Sequence, residues 1–338
     1  MNILILGAGG FIGSNLIEAI VEHRKEWNVV GVDLSSHKIE EFLDKIKFVK
    51  ANVLEETELI EELVKHADIV LPLVAIANPS VYVTDPLKVF ELDFESNLQV
   101  IKLCVKYGKR VIFPSTSEVY GMCSDKDGFK EYESNCVTGP INKQRWIYSC
   151  SKQMLDRVIY AYGERDGLRY TIFRPFNWIG PRLDDITNPN NGSSRVVSQF
   201  LSNILHGKDI SLVNGGVQTR SFTYISDGVD ALIKIIENKD GRADKEIFNI
   251  GNPDNLISIK ILADIVLDIC KADPNFAEKA AATKVNNISY DDYFGQSYQD
   301  VEYRIPSIKN AQEKLGWSPF VNVRTSIENI VKYYSDKI

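Results

Sequence analysis

Cysteine and histidine are scarce in this 338-residue sequence, which contains five cysteines and four histidines. The cysteines are odd in number and follow none of the spacings that zinc sites use: they are Cys104, Cys123, Cys136, Cys150 and Cys270. The histidines do not cluster. We therefore expect free thiols in a reducing compartment, with no disulfide and no metal site.

Positive charge is also in short supply. Lysine and arginine number 39 against 46 aspartates and glutamates, which gives a net charge of −7. Proteins that grip nucleic acid normally present a basic face, so this balance argues against a nucleic-acid partner. An anionic small molecule would need locally placed arginines.

Long apolar runs are missing as well. No run approaches the roughly 20 residues that a membrane-spanning helix requires. Residues 2–12 are apolar, but they lack a basic start and are interrupted by Gly7, Gly9 and Gly10, unlike a signal peptide. This segment predicts a buried first strand, and we expect a cytoplasmic protein without a membrane partner.

Short apolar runs alternate with amphipathic stretches in the first half of the chain. The strand-like runs are Ile3–Leu6, Val29–Val32, Ile46–Val49, Ile69–Leu73, Val111–Pro114 and Thr171–Arg174. Such alternation is typical of a parallel sheet covered by helices on both faces. We predict an α/β fold, a Rossmann-type doubly wound sheet over residues 1–175. Residues 176–338 are expected to form mainly a smaller α/β domain, with some later segments returning to the first.

A glycine-rich turn follows the first predicted strand. The run Gly7–Gly13 (GAGGFIG) precedes a helix predicted from about Ser14. Gly7 permits a tight turn, Gly10 lets the backbone approach a pyrophosphate, and Gly13 allows close helix–strand packing. The N-terminus of the helix favours the anion, which indicates a dinucleotide site.

The second predicted strand supplies the acidic residue that such a site requires. Asp33 ends this strand about 20 residues after the turn, where a carboxylate would bind the adenosine ribose and repel a 2′-phosphate. NAD is therefore expected in preference to NADP. Phe11 and Ile12, within the turn, are further predicted cofactor contacts, and Tyr148 and Lys152 complete the set.

Tyr148 and Lys152 stand four residues apart in the run YSCSK, at the start of a helical stretch. Their side chains would share one helix face. Such a pair is commonly just a solvated surface, but after a dinucleotide turn it predicts catalysis. A nearby ammonium favours the phenolate, so Lys152 is expected to lower the pKa of Tyr148 toward that of a general base.

The glycine turn, the Tyr-x-x-x-Lys pair and the run STSEVYG that begins at Ser115 resemble the extended short-chain dehydrogenase/reductase family of nucleotide-sugar enzymes. The resemblance extends over the whole chain. It is strongest to the UDP-glucuronate oxidative decarboxylase domains of bifunctional polymyxin-resistance enzymes. The blocks that carry it are 71–77, 113–123, 145–148, 174–178 and 298–304.

This resemblance implies an NAD-dependent enzyme that converts UDP-glucuronic acid into UDP-4-keto-pentose, CO2 and NADH. The implied catalytic residues are Tyr148, Lys152, Thr116, Ser117, Glu118 and Arg304. The implied UDP-sugar contacts are Tyr82, Arg145, Asn177, Arg195, Arg220 and Tyr298. Two departures from the pattern are Ser211, in place of a lysine, and Asn78, in place of a threonine.

The resemblance also implies a homodimer. In similar enzymes two helices pair across a four-helix interface, and here they correspond to the amphipathic stretches Val89–Tyr107 and Lys152–Tyr162. Alternatively, both stretches simply cover the sheet.

Several other functions stay open. A UDP-xylose synthase would return the hydride to the 4-ketone, and another nucleotide-sugar epimerase would keep all the carbons. Ser117 disfavours 4,6-dehydration, because dehydratases of this family carry aspartate there. A non-catalytic NAD sensor that binds partners is disfavoured, since it would not need the whole catalytic set.

Overall fold

The computed structural model describes residues 1–188, 195–289, 292–293, 299, 301 and 303–338. Its strands are β1 (Asn2–Leu6), β2 (Asn28–Asp33), β3 (Lys47–Lys50), β4 (Ile69–Pro72), β5 (Arg110–Pro114), β6 (Tyr170–Pro175), β7 (Trp178–Ile179), β8 (Ile210–Val213), β9 (Thr219–Ser221), β10 (Thr223–Tyr224), β11 (Glu246–Ile250), β12 (Leu256–Ser258) and β13 (Val285–Ile288).

The helices are α1 (Phe11–His23), α2 (Thr57–His66), α3 (Pro79–Thr84), α4 (Pro86–Phe90), α5 (Asn97–Lys106), α6 (Trp146–Arg165), α7 (Val196–Leu205), α8 (Ile225–Glu237), α9 (Ile259–Ala272), α10 (Ala277–Ala282), α11 (Lys309–Leu315) and α12 (Val323–Ser335). A π-turn, Glu91–Ser96, joins α4 to α5, and a 3-10 turn, Ser117–Tyr120, follows β5. Among the described residues, no helix has the length and apolar character needed to cross a membrane.

Seven parallel strands form the main sheet, in the order β11-β6-β5-β4-β1-β2-β3. The chain runs outward from β1 to β3 and then reverses through β4 to β6, the doubly wound arrangement that was predicted. This fold class is confirmed. The crevice where the strand order reverses lies beyond the carboxyl ends of β1 and β4.

Helices cover both faces of this sheet. Along β1, Ile3 and Ile5 pack on one face with α1, α8 and α11, whereas Leu4 and Leu6 pack on the other with α2, α5 and α6. Successive strand residues point to opposite faces, so burial on both sides requires an unbroken apolar run. This requirement explains the apolar runs of β1 and β4, whereas β3, at the edge of the sheet, contains Lys47 and is only partly buried.

A third apolar cluster lies among α7, α9, α10 and α12. The strand pairs β8–β13, β9–β12 and β7–β10 connect this region to the carboxyl edge of the main sheet. One late segment, β11, pairs with β6 and so returns to the main sheet. The exact domain division at residue 175 stays a prediction.

Candidate active site

The glycine turn lies between β1 and α1, at the point where the strand order reverses. Gly7 has φ +88°, a left-handed conformation that glycine adopts without strain. A Cβ on Gly13 would lie 2.4 Å from the Gly7 carbonyl oxygen, so only glycine fits there. The helix begins at Phe11, earlier than predicted, which makes Gly10 its N-cap residue.

Gly9 has a role in this turn that the sequence analysis did not assign. Its N–H donates to Asp33 Oδ2 over 2.9 Å, and a Cβ at Gly9 would come within 2.3 Å of the Ser35 carbonyl oxygen. The contact joins the turn directly to the end of β2. Its signal in the sequence was the extra glycine inside the motif.

These residues fit a dinucleotide. The first turn of α1 (FIGS) carries no acidic side chain, and its leading N–H groups have no intrahelical carbonyl to bind. The Asp33 carboxylate stands beside the same turn. NAD would therefore be held by the turn Gly7–Gly13 at its pyrophosphate and by Asp33 at its adenosine ribose.

Tyr148, Lys152 and Thr116 meet at the carboxyl end of β5. Tyr148 and Lys152 lie on α6 and are buried, and the Thr116 hydroxyl hydrogen-bonds Tyr148. Lys152 Nζ donates to the Pro114 carbonyl oxygen over 3.0 Å and lies 6.0 Å from the centre of the Tyr148 ring. The predicted group of three is thus brought together.

The pKa of Tyr148 differs from the sequence expectation. Burial raises it above the usual value for tyrosine, the Asp93 carboxylate raises it further, and the Thr116 hydrogen bond opposes both. Lys152 is not among the main influences on the pKa of Tyr148. Burial lowers the pKa of the Lys152 ammonium itself. In the protein without ligands, Tyr148 is therefore a neutral phenol.

Glu118 is held between two arginines. Arg304 Nη1 lies 2.7 Å from Glu118 Oε1, and Arg145 Nη2 donates to Glu118 Oε2. Burial by itself would raise the pKa of Glu118, but Arg145 and Arg304 lower it to about 2. Glu118 is consequently a permanent carboxylate, and both guanidinium groups are positioned by it.

A cavity of about 630 Å³ opens beside this cluster. Predicted site residues that line it are Glu118, Asn177, Arg195, Arg220 and Arg304, and both sequence departures, Asn78 and Ser211, line it as well. A cavity of this size accommodates a drug-sized or nucleotide-sized molecule. Its arginines concentrate positive charge in an otherwise acidic protein.

The remaining predicted contacts lie at varying distances from this cavity. Tyr82 stacks on Tyr148, with ring centres 4.8 Å apart, so it shapes the surroundings of the tyrosine. Arg145 is buried against Glu118 and also donates to the Gln299 carbonyl oxygen over 2.6 Å. Ser117 is buried in the 3-10 turn. Tyr298 lies outside the described residues.

Two lining residues already have protein partners. Arg195 Nη2 donates to Asp184 Oδ1 over 2.6 Å and to the Leu183 carbonyl oxygen over 2.8 Å. Asn177 has φ +41° and donates to the Ser221 carbonyl oxygen over 3.0 Å. These contacts orient both side chains along the cavity wall.

A buried ion pair contacts the residue that precedes Thr116. Asp156 Oδ2 accepts hydrogen bonds from Ser115 Oγ and Arg174 Nη2, each 2.9 Å long. Ser115 immediately precedes Thr116, so the pair helps to fix the threonine. Sequence reasoning missed Asp156, although it stands four residues after Lys152, on the same face of the helix.

Comparison with known proteins gives a consistent result. A family model described as "NAD dependent epimerase/dehydratase family" matches residues 3–251. The chain is similar to the PbgP3 protein from Burkholderia pseudomallei, with 46% sequence identity over 99% of this chain and 96% of that chain, and a TM-score of 0.89.

More distant structures share the fold. UDP-glucuronic acid 4-epimerase from Bacillus cereus, solved with UDP-glucuronic acid and NAD, is 22% identical over 100% of both chains, with a TM-score of 0.80. dTDP-glucose 4,6-dehydratase from Bacillus anthracis, in complex with NAD, is 19% identical over 99% of this chain and 97% of that chain, with a TM-score of 0.79.

Proposed function

Because the chain belongs to the NAD dependent epimerase/dehydratase family, we propose that it catalyses the NAD-dependent oxidative decarboxylation of UDP-glucuronic acid. The products are UDP-4-keto-pentose, CO2 and NADH. The family assignment confirms the resemblance expected from the sequence, and NAD agrees with the family description. The observation that carries the specific reaction is the cluster of Glu118, Arg145 and Arg304, of which Glu118 and Arg304 line the cavity.

Oxidation is the first step. Tyr148 takes the proton from the sugar 4-hydroxyl. Thr116 hydrogen-bonds Tyr148 and orients the sugar 4-hydroxyl toward it. NAD, held at the glycine turn, would supply the acceptor for the C4 hydride and a cationic ring that favours the phenolate form of a nearby tyrosine. Lys152 adds a second positive charge below the tyrosine. The substrate is left as a 4-ketone.

Decarboxylation follows from the chemistry of that ketone. The ketone and the substrate carboxylate stand in a β relation, so the C5–carboxyl bond breaks with its electron pair moving toward the ketone oxygen. Tyr148, now protonated, and Thr116 donate hydrogen bonds to the developing enolate oxygen and lower the barrier. A proton from solvent water then adds at C5 to give the 4-keto-pentose.

The arginines account for the choice of a carboxylated sugar. Arg304 is buried and lines the cavity, and the planar guanidinium of an arginine can bind a carboxylate through two parallel N–H bonds. Glu118 holds this guanidinium in place. Because the pKa of Glu118 is lowered to about 2, it does not act as a proton donor in the reaction.

The diphosphate of a UDP-sugar needs positive charge too. Arg195 and Arg220 line the same cavity as Arg304, and Arg195 is paired there with Asp184. Guanidinium groups bind phosphate and carboxylate oxygens through paired hydrogen bonds, so these arginines suit a substrate that carries both a diphosphate and a carboxylate. A neutral sugar would provide no carboxylate for Arg304 to bind.

One incubation tests the proposal. Purified protein is mixed with UDP-glucuronic acid and NAD, while NADH absorbance, CO2 release and the NMR spectrum of the nucleotide sugars are followed together. We expect NADH and CO2 to accumulate one for one, with UDP-4-keto-pentose as the main product. UDP-xylose with only catalytic NADH would identify a UDP-xylose synthase instead.

Other outcomes identify the remaining alternatives. Conversion of UDP-glucuronic acid into its 4-epimer, without CO2, would identify an epimerase. NAD binding without turnover of UDP-glucuronic acid or other UDP-sugars would favour an NAD sensor. Either result rejects the proposed reaction.

A further inference from the structure

Asp93 is a buried carboxylate that the reaction described above does not use. It lies in the π-turn Glu91–Ser96, and its side chain is 0% exposed. Asp93 Oδ2 accepts a hydrogen bond from the Ile76 N–H over 2.9 Å, whereas Oδ1 has no hydrogen-bond partner among the described residues. A buried carboxylate oxygen without a hydrogen bond is costly unless an opposite charge lies nearby.

That opposite charge is the ammonium of Lys152. Asp93 Oδ1 lies 3.9 Å from Lys152 Nζ, and the Lys152 side chain is 1% exposed. The separation is too long for a good hydrogen bond but short for two buried charges, which interact strongly away from water. Asp93 and Lys152 therefore form a buried ion pair between the π-turn and α6.

The π-turn itself is built to place Asp93 inward. Its extra residue per turn interrupts the regular α4–α5 helix, and such turns occur frequently at functional sites. Asn97, one turn after Asp93, donates to the Val74 carbonyl oxygen over 3.1 Å. Through Asn97 and Asp93, the turn holds the segment after β4 next to the catalytic residues.

Other groups around Lys152 do not replace Asp93. Asp156, from the same helix, is the other carboxylate near it, but this side chain is already paired with Arg174 of β6. From β5, Lys152 is faced by the Pro114 carbonyl oxygen and by the Phe113 ring, whose centre lies 4.9 Å from Nζ. Tyr148, one turn earlier on α6, is uncharged in the ligand-free protein.

We propose that Asp93 is a positioning residue, whose carboxylate is the counter-ion that keeps the buried Lys152 ammonium protonated and fixed below the catalytic tyrosine. The inference rests on the oxidation step of the proposed function, in which Tyr148 and Lys152 act. It does not depend on the loss of CO2 from the substrate.

The protonation of Lys152 depends on this carboxylate. Burial lowers the pKa of the Lys152 ammonium, and the charges of Asp93 and Asp156 oppose that effect. Burial likewise raises the pKa of Asp93, to about 6, with Lys152 opposing. Without the Asp93 charge, Lys152 would lose its proton at a lower pH, and the Tyr148 phenolate would then lack the ammonium that favours it. The direct repulsion between Asp93 and that phenolate is lost in the same variant, so the test follows the pH at which the alkaline limb falls and not the rate alone.

The test compares Asp93→Asn with Glu95→Gln, which removes one negative charge from an exposed position of the same π-turn. The kcat/KM for UDP-glucuronic acid is measured as NADH formation between pH 6 and 10. We expect the alkaline limb of Asp93→Asn to move at least one pH unit lower, with a loss of about tenfold at the pH of the wild-type limb. The loss should fall on kcat more than on KM. Glu95→Gln should keep the wild-type profile.

A second measurement needs no sugar and so separates this inference from the proposed function. The Kd for NAD is measured by calorimetry over the same pH range for the wild type, Asp93→Asn and Lys152→Met. In the plot of this Kd against pH, the inflection that is absent in Lys152→Met reports the titration of Lys152. We expect it to lie at least one pH unit lower in Asp93→Asn, even if UDP-glucuronic acid proves not to be the substrate.

An unchanged inflection and an unchanged alkaline limb in Asp93→Asn overturn the inference, because a merely structural role would lower activity without moving either. If Asp93→Asn does not fold, the double variant Asp93→Asn/Lys152→Met shows whether the unpaired ammonium of Lys152 is the cause. Recovery of folded, NAD-binding protein shows that the unpaired ammonium caused the failure. Continued failure to fold overturns the inference.

Discussion

Glu118 and Arg304 join the turn after β5 to the C-terminal part of the chain through a buried ion pair 2.7 Å long. Arg145, at the start of α6, binds the other oxygen of the same carboxylate. One carboxylate thus fixes two guanidinium groups from segments that are far apart in the sequence. The pair holds these segments together and is also part of the proposed site. Its effects on stability and on substrate recognition can be measured separately.

The first prediction concerns stability. Glu118→Gln should lower the free energy of unfolding at pH 7 by about 3 kcal/mol or more, because it removes the carboxylate that two buried guanidinium groups share. The pKa of Glu118 is about 2 when folded, below its unfolded value. Its contribution is therefore complete above the unfolded pKa, roughly 4.3, and is lost as the pH falls toward 2.

Urea unfolding at several pH values checks this prediction. The difference between wild type and Glu118→Gln should be constant from pH 6 to 8 and shrink below about pH 4.5. Glu133→Gln, which breaks the exposed ion pair between Lys130 and Glu133, is the control and should cost about 0–1 kcal/mol. Equal effects of the two variants at pH 7 would contradict the buried role of Glu118.

Arg304→Lys tests recognition of the substrate carboxylate. Lysine keeps the charge but loses the planar fork, so the preference for UDP-glucuronic acid over UDP-glucose in kcat/KM should fall by roughly 10–100-fold. The conservative change also keeps a cation next to Glu118. Arg242→Lys, at an exposed arginine, should leave the preference unchanged. A preserved preference in Arg304→Lys would show that another residue reads the carboxylate.

Tyr148→Phe tests the order of the chemistry. The variant keeps the ring that stacks on Tyr82 but removes the hydroxyl that binds Thr116. Both NADH and CO2 formation should fall by at least about 10²–10⁴-fold, because no electron sink forms without the ketone. Tyr160→Phe, at an exposed position of the same helix, should retain full activity. CO2 release by Tyr148→Phe without NADH would reject this order.

Asp33→Asn tests cofactor choice. Asp33 stands beside the glycine turn, where its charge would repel a 2′-phosphate, so the wild type should bind NAD more tightly than NADP. Two unit charges 4 Å apart repel by about 1 kcal/mol in water and by more near a protein surface, so the gap between the Kd values should narrow about tenfold or more in the variant. Asp44→Asn, at an exposed position, should leave the gap between the two Kd values unchanged. Similar Kd values for the two cofactors in the wild type would contradict the role of Asp33.

Much of the fold was predictable because local pattern and burial coincide in it. The strands β4 and β5 are buried along their whole length, so their apolar runs are visible in the sequence. The run EIFNI of β11 also lies in the sheet, but its glutamate and asparagine break the apolar pattern. Asn249 is buried there through hydrogen bonds with the carbonyl oxygen of Phe129 and the hydroxyl of Tyr120, partners that lie more than a hundred residues away in the chain.

In the candidate site, too, residues close in sequence could be predicted, whereas contacts between distant segments could not. Tyr148 and Lys152 could be assigned because they are close in sequence, and helical geometry places them together. The contacts of Lys152 with Asp93, and of Glu118 with Arg304, depend on tertiary packing that spacing does not reveal. The raised pKa of Tyr148 was missed for the same reason, since it comes mainly from burial and from the Asp93 carboxylate.

The last prediction is a homodimer formed through α6 and the α4–α5 segment. On α6, Met154 and Tyr160 are 51% and 48% exposed, and Leu87 of α4, just before the predicted stretch Val89–Tyr107, is 68% exposed. Apolar side chains of this size are enriched in the cores of protein interfaces, whereas charged ones are depleted there. Light scattering should therefore give a mass of about twice the 38.2 kDa of the chain.

Met154→Glu should shift the protein to the monomer, because a charge would be buried without a partner. Phe320→Glu, which changes an exposed residue outside the predicted interface, should remain dimeric. A wild-type mass near 38.2 kDa would mean that these helices only cover the sheet.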